Sequence, residues 1–299
     1  MTEMNMIAKR RPIRKLKHMR FGDYVIYVLM FLVLMICILP FVYMLALSFS
    51  DSTAILNNRV SFWPVNFTVN AYRDIFNYPR FFEAYGNTFF YTIFGTMIGL
   101  SMTILFAYPL SKPELRGQRL VMKIVIFSMY FSGGLIPTYL WISNLGLSGT
   151  RAAILLPFAI NQFNLIILIA AFKSVPGEIE DAALIDGLGY FGILRQIIVP
   201  LSLPSIATIG LYIAVFFWND WFNALIYLNS RQYPVMMFLR NIVMGTTMIG
   251  DSAGSADQSS IGIAIKSAVI IVSMVPILLL YPALQRFFVS GIMAGSVKG

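Results

Sequence analysis

The stretch from Tyr24 to Ser50, YVIYVLMFLVLMICILPFVYMLALSFS, decides the fold because it contains no Asp, Glu, Lys or Arg. A helix needs about 20 apolar residues to cross the hydrocarbon core of a bilayer, and this stretch is longer than that. It is also longer than the hydrophobic region of a cleavable signal peptide, which has roughly 7–15 residues. The sequence therefore predicts a first transmembrane helix that is retained.

Five further stretches lack these four charged residue types. They are Ala84–Ser111, Ile124–Thr150, Ala152–Phe172, Gln196–Asn219 and Ser267–Gln285. Hydrophobic residues form 58% of the chain and charged residues 12%, which is not the composition of a soluble domain. Only Arg151 separates the third and fourth stretches, and the turn residues before it predict a tight helical hairpin. The prediction is an all-α integral membrane protein with six transmembrane helices.

The positive charge indicates how the spans are oriented. Seven of the 22 Lys and Arg residues precede the first span, and they are Lys9, Arg10, Arg11, Arg14, Lys15, Lys17 and Arg20. We interpret residues 1–23 as a cytoplasmic arm on anionic lipid rather than a nucleic-acid-binding segment, and residues 24–299 as the membrane domain. Six spans place the segments between them alternately on the two sides of the membrane. Fifteen Lys and Arg residues then lie on the side of the arm, and seven lie on the other side. Both termini are therefore expected in the cytoplasm.

Most enzyme chemistries are excluded, because Cys37 is the only cysteine and His18 the only histidine. Residues 187–192, GLGYFG, have the dinucleotide-binding spacing, but helical sequence instead of a strand precedes them. Residues 245–252 have Walker A spacing with Asp251 in place of the lysine. No cofactor or metal is expected. Gly95 and Gly99 form a face for close helix packing, and the polar segments 51–83 and 230–261 are expected to cover the outer mouth.

The connection between the fourth and fifth spans, residues 174–204, is too long for a simple turn. Ser174 and Pro176 are helix start signals, and the acids that follow favour the first turns of a helix. Gly187 is expected to break this helix, and a second short helix follows and ends at Pro200. By physical reasoning alone, this segment could equally be an amphipathic hairpin lying on the bilayer.

The run PGEIEDAALIDG at residues 176–187, followed by IVPL at 198–201 and Pro204, resembles the EAA loop of ABC importer permeases. Further motifs along the chain, in the same order, resemble the carbohydrate-uptake, maltose-permease-like family of these permeases. They are Asn87-Thr88, YPLS at 108–111, Arg116-Gly117, PTY at 137–139, LGL at 145–147, WND at 218–220, and the tail from QRFFV at 285–289 to GSVKG at 295–299. Two positions depart from the pattern, since Asp181 replaces a Glu and Leu188 an Ala. FSGG at 131–134 resembles the branch for complex oligosaccharides, including uronates.

The resemblance implies a type I ABC importer permease fold in a bacterial cell membrane. Its partners would be a second homologous permease, two ATP-binding ATPase subunits, an extracytoplasmic solute-binding protein and a sugar substrate. The EAA loop would act as a coupling helix gripped by an ATPase. The implied ATPase-coupling residues are Glu178, Glu180, Asp181, Ala182, Ala183, Asp186 and Gly187.

A sugar pathway needs polar groups for hydroxyls and aromatic rings for apolar ring faces. The candidates are Asn161, Gln162, Asn164, Trp218, Asn219, Asp220, Trp221, Asn223 and Lys266. Asn161, Gln162 and Asn164 could instead hold helices together, and Lys266 could extend towards the interface. Asp220 is a functional-site hypothesis because a carboxylate at membrane depth is costly, although it could pair with a base on a partner subunit.

Two other classes of protein remain as alternatives. A secondary transporter driven by an ion gradient would show inverted repeats and several intramembrane acids, and the sequence shows neither. A membrane-embedded enzyme would need a catalytic constellation at membrane depth, which the single cysteine and histidine do not supply.

Overall fold

The computed structural model describes residues 21–252 and 262–279, with side chains at 22–245 and 262–279. The basic arm before Phe21 and the tail after Leu279 lie outside the described residues. The side chains of 246–252, which carry the Walker-like spacing, lie outside them as well. The division into an arm and a membrane domain therefore stays an expectation.

The described part of the chain is built from α-helices. In chain order they are α1 (Phe21–Ser48), α2 (Ser52–Leu56), α3 (Asn70–Phe76), α4 (Phe81–Ser111), α5 (Gln118–Tyr130), α6 (Leu135–Asn144), α7 (Ala152–Leu155), α8 (Gln162–Lys173), α9 (Gly177–Ile185), α10 (Tyr190–Ile193), α11 (Val199–Leu201), α12 (Leu203–Asn219), α13 (Phe222–Tyr227), α14 (Val235–Ser252) and α15 (Gly262–Leu279). A π-helical turn, Leu194–Ile198, joins α10 to α11, and a 3₁₀ turn, Ser230–Gln232, precedes α14.

Three of these helices, α1, α4 and α15, are long and apolar enough to cross a membrane unbroken. Three bent pairs meet the same criteria together. α5 meets α6 at 116°, α8 meets α9 at 71°, and the α10–α11 piece meets α12 at 85°. Within the described residues, the predicted all-α membrane fold is confirmed, and by length and composition its three long helices and three bent pairs allow up to six spans.

The predicted third and fourth spans are interrupted. The third bends where α5 ends and Gly134, at φ +89°, leads into α6. The fourth consists of short α7, a turn that contains Pro157, and α8. The side chain of Asn161 accepts a hydrogen bond from the backbone N–H of Asn164 at 3.1 Å, so it caps the start of α8. The interruption in the fourth span is therefore caused by residues of that span itself.

The helix α4 lies at the centre of the bundle, against α8 and α12. A Cβ atom at Gly95 would lie 2.4 Å from the ring of Phe217, and one at Gly99 would lie 3.0 Å from the carbonyl oxygen of Ala159. Any larger side chain would push these neighbours away. The predicted packing face of Gly95 and Gly99 is confirmed.

Two clusters of buried apolar side chains stabilise the fold. The larger one joins α4, α8, α12 and the connection from α9 to α11, with Leu168, Ile198 and Ile209 at its centre. The smaller one joins the end of α1, α2, α3, the start of α4, α14 and α15, and includes Ile75 and Phe81. The described parts of the segments 51–83 and 230–261, which were expected to cover one mouth of the bundle, therefore pack together at one end, which we call the α3 end.

Candidate functional site

The segment after α8 forms two short helices separated by a glycine turn. Gly187 lies at φ +87°. Its N–H donates to the carbonyl of Leu184 at 3.1 Å, and the N–H of Leu188 donates to the carbonyl of Ala183 at 3.0 Å. These two bonds form a Schellman cap, which uses a left-handed glycine. No atom would lie within 4 Å of a Cβ at Gly187, so its backbone conformation alone requires glycine. The predicted break at Gly187 is confirmed.

One start signal was assigned wrongly. Ser174 belongs to the end of α8, where its hydroxyl donates to the carbonyl of Ala171 at 2.6 Å. The residue before α9 is Pro176, whose carbonyl accepts the N–H of Ile179 at 3.2 Å. A serine hydroxyl can bond at either helix end, so its sequence position did not decide between them.

The two faces of α9 differ in chemistry. The outward face is exposed and carries Glu178, Asp181, Ala182, Ile185 and Asp186, whereas Glu180 and Ala183 are buried against the bundle. Ile185 is 87% exposed and Glu180 only 8%. Glu180 was expected to couple to the ATPase together with Glu178 and Asp181, but unlike them it is buried. Its position three residues before Ala183 puts both on one side of the helix.

Three of the pathway candidates surround the interruption in the fourth span. Asn161 is exposed, Gln162 half-buried and Asn164 buried, and together with Tyr212 and Phe216 of α12 they line an open cavity of about 560 Å³. The hydroxyl and rings of the two aromatic residues supply the other chemistry that sugar binding needs. Sequence reasoning missed Tyr212 and Phe216, although their spacing of four residues puts them on one face of a helix.

Trp218 holds helices together. It is 2% exposed, and its indole N–H donates to the carbonyl of Ser273 in α15 at 3.3 Å. Its ring also meets the ring of Phe89 edge to face at 5.5 Å. Asn219 is exposed and its amide donates to the carbonyl of Val215 in its own helix at 2.9 Å. The structure thus separates these neighbours, one inward and one outward.

Asp220 caps the short helix α13. Its Oδ1 accepts the backbone N–H of Asn223 at 3.1 Å, and both carboxylate oxygens accept from the Asn223 amide, at 3.1 and 3.2 Å. Among the described residues, these bonds give both oxygens of the buried carboxylate a partner. Its neighbour Trp221 lies beside the guanidinium of Arg240, which is 5.0 Å from the indole centroid. Lys266 is half-buried in the second turn of α15.

A polar network at the α3 end was missed in the sequence. Asn87 of α4 accepts a hydrogen bond from the Arg151 guanidinium at 3.0 Å and donates to the carbonyls of Arg231 and Tyr233 at 2.9 and 3.3 Å. We call these contacts the Asn87 network. Beside it, Thr88 accepts the N–H of Val235 at 2.8 Å. The adjacent pair of polar residues inside an apolar span was the signal available.

Comparisons with known proteins agree with this architecture. The chain is 43% identical over 268 residues to the protein LplC of Bacillus subtilis, covering 88% of this chain and 90% of LplC. It is 40% identical to the polygalacturonan/rhamnogalacturonan transport system permease protein YtcP of the same organism, covering 94% and 99%. A solved chain of a bacterial ABC transporter that imports alginate matches with a TM-score of 0.80 at 30% identity, covering 91% and 99%. No protein-family model matches the chain.

The fold match and the named permease relative together place this helical bundle, with its capped helix pair between two spans, in the class of transport permeases. The chain belongs to the carbohydrate-uptake family of ABC transporter permeases. It is a transport subunit and not an enzyme. The relatives give no support to an ion-gradient-driven transporter.

Proposed function

We propose that this chain forms half of the translocation pathway of an ATP-driven, binding-protein-dependent importer of oligosaccharides in a bacterial cell membrane. Its partners are a second homologous permease, two ATPase subunits and an extracytoplasmic solute-binding protein. The observation that carries the proposal is the exposed outward face of α9 in a chain of this family.

The outward face of α9 has the composition of a docking surface for an ATPase. Ile185 is almost fully exposed beside Ala182, and Tyr190 and Phe191 are exposed just beyond the glycine turn. Apolar side chains grouped on a polar surface mark protein interfaces. Glu178, Asp181 and Asp186 add charged groups around them. The inner residues Glu180 and Ala183 fix the orientation of this face, and Gly187 fixes its angle to the next helix.

Movement of the docked ATPases supplies the force in this mechanism. When the ATPases close on ATP, they displace α9, and the capped turn at Gly187 passes the displacement to the α10–α11 piece and α12. The spans then tilt and open the pathway on the opposite side. This requires α9 in the cytoplasm, which is also the side that carries more Lys and Arg outside the spans.

The cavity at the interruption of the fourth span is the part of the sugar pathway that this chain contributes. Asn161, Gln162 and Asn164 offer amides for hydroxyl groups, and Tyr212 and Phe216 offer aromatic surface. Further along α12 and α13, Trp218 supports the pathway by packing against α15, Asp220 and Asn223 support it by their mutual hydrogen bonds, and Asn219 is exposed. The pathway is completed by the homologous partner.

The substrate is an anionic oligosaccharide made of uronate units. YtcP is named for polygalacturonan and rhamnogalacturonan, and the solved relative belongs to an importer of the acidic polysaccharide alginate. Lys266 on α15 adds a positive charge near the start of that helix. A cation near the expected outer end of this span would favour an anionic substrate through long-range attraction.

A strain that lacks this chain tests the proposal. Uptake of labelled oligogalacturonide should fail and should return with the wild-type chain, while uptake of a neutral maltooligosaccharide should not depend on it.

Ile185→Asp should lower the amount of ATPase that co-purifies with the chain by tenfold or more. Leu115→Asp is the matched control, because Leu115 is also exposed but lies outside α9. Normal uptake and normal ATPase recovery with Ile185→Asp would exclude the docking face.

A further inference from the structure

The buried carboxylate of Glu180 lies at the junction of α9 and α4. Its Oε2 forms an ion pair with the Lys112 ammonium and accepts the Tyr108 hydroxyl at 3.4 Å. The Lys112 ammonium also lies 5.0 Å from the centroid of the Tyr108 ring. We call these three residues the Glu180 cluster. A carboxylate that is 8% exposed needs such partners, because burial of an unpaired charge is costly.

The cluster joins the ends of two helices. Lys112 follows the last residue of α4 and bonds through its N–H to the carbonyl of Pro109 at 3.1 Å, whereas Glu180 lies in the first turn of α9. A cation at a helix C-terminus and an acid near a helix N-terminus both interact favourably with the helix dipoles. The ion pair therefore has a fixed position relative to both helices.

The helix α4 connects this cluster to the opposite end of the molecule. Its 31 residues span about 46 Å at 1.5 Å per residue. Near its start, Asn87 and Thr88 bond to the segment from Arg231 to Val235, and the Tyr91 hydroxyl donates to the carbonyl of Gln232 at 3.0 Å. One continuous helix therefore joins the Glu180 cluster to residues 231–235.

We propose that Glu180 is a positioning residue that transmits the movement of α9 to α4 from inside the permease, and that it makes no contact with the ATPase. The inference rests on the proposed docking of the outward face of α9. It adds a second route for the movement, through α4 to the α3 end, beside the direct route through Gly187 to α12. Asp181 is the natural comparison, since it carries the same charge one residue later and is exposed.

The test uses the complete transporter in liposomes with its loaded binding protein. With Glu180→Gln, the ATPase should co-purify within twofold of the wild-type amount, and ATP should still be hydrolysed. The sugar imported per ATP hydrolysed should fall tenfold or more. Asp181→Asn should instead reduce the co-purified ATPase. Glu114→Gln is the control for loss of an exposed carboxylate near the same end of α4 and should leave all three measurements unchanged.

Reversal of the ion pair gives the decisive measurement. Glu180→Lys combined with Lys112→Glu should restore at least a third of the wild-type ratio of import to hydrolysis, while each single reversal should not. A normal ratio with Glu180→Gln would overturn the proposal. Loss of ATPase binding with Glu180→Gln, to the extent seen with Asp181→Asn, would also overturn it.

The possibility of misfolding is covered by a second variant. If Glu180→Gln does not accumulate in the membrane, Lys112→Gln removes the same ion pair from its more exposed partner. Failure of both to accumulate, with no rescue by the reversed pair, would assign the cluster to stability alone. Failure of the docking face is separate, because it requires that Ile185→Asp and Asp181→Asn both leave ATPase binding intact.

Discussion

Asn87 and Arg151 are joined by a hydrogen bond of 3.0 Å between the amide oxygen of Asn87 and the guanidinium of Arg151. The same amide donates through its nitrogen to two backbone carbonyls before α14. The Arg151 guanidinium also lies 4.4 Å from the ring centroid of Phe90. One side chain of α4 therefore holds together the residue that precedes α7 and the loop that precedes α14.

Asn87→Ala should destabilise the purified protein by about 1–3 kcal/mol, because it removes one hydrogen-bond partner from the Arg151 guanidinium and removes two part-buried hydrogen bonds to backbone carbonyls. Thermal unfolding in detergent measures the change. Asn219→Ala is the control, since Asn219 is exposed and bonds only to its own helix. Equal unfolding temperatures for the two variants would contradict the role of the Asn87 network.

Gly95→Ala should destabilise the bundle, although alanine normally favours a helix. Its Cβ would lie 2.4 Å from the buried ring of Phe217, and such overpacking costs about 1–3 kcal/mol. Gly86→Ala in the same helix meets no atom within 4 Å and should stabilise the protein by up to about 1 kcal/mol. Phe217→Leu in the Gly95→Ala background should recover part of the loss, as measured by thermal unfolding. A Gly95→Ala protein as stable as Gly86→Ala would refute this packing.

Gly187→Ala should weaken coupling without a steric clash. A side chain at φ +87° costs about 1–2 kcal/mol, so the cap that ends α9 is destabilised. Gly189, at φ −76°, provides the matched control, because neither glycine has an atom within 4 Å of an added Cβ. Sugar import per ATP hydrolysed should fall for Gly187→Ala and stay unchanged for Gly189→Ala. If both variants behaved alike, the left-handed turn would not matter.

Asp220→Ala should cost about 0.5–2 kcal/mol, because α13 loses its N-terminal cap. Asp220→Asn keeps an acceptor oxygen for the Asn223 N–H and should retain both stability and sugar uptake. Uptake assays on the two variants separate a cap from a charge that acts directly on ions or substrate. Loss of uptake in Asp220→Asn at normal stability would show that the negative charge itself is required.

The sequence predicted the features that depend on local chemistry. Apolar length located the spans, and Gly187 was located because only glycine ends a helix in that way at little cost. The interruption of the fourth span also has a local cause, in Pro157 and in the cap at Asn161. A search for stretches without charged residues does not detect it, because no charged residue marks the break. A hydropathy pattern measures length and composition, and it does not measure continuity.

The inward position of Glu180 could not be predicted, because it depends on where Lys112 lies in space, 68 residues earlier in the chain. The acid pattern of the first turns is compatible with any rotation of α9 about its axis. The same holds for Trp218, whose indole partner is a carbonyl of α15. Tertiary packing decides which side of each helix is covered, and a single sequence carries that information only weakly.

The π-helical turn Leu194–Ile198 has a further consequence for how this family can change in length. Such a turn holds one residue more than an α-helical turn, so it is equivalent to a one-residue insertion in a regular helix. Deletion of one residue there restores an ordinary helix, whereas a deletion in neighbouring α-helix rotates everything beyond it by about 100°. We therefore expect single-residue gaps between related permeases to be tolerated at this turn more than elsewhere in the connection. In evolutionary terms, it is the place where the coupling segment can lose a residue and remain helical.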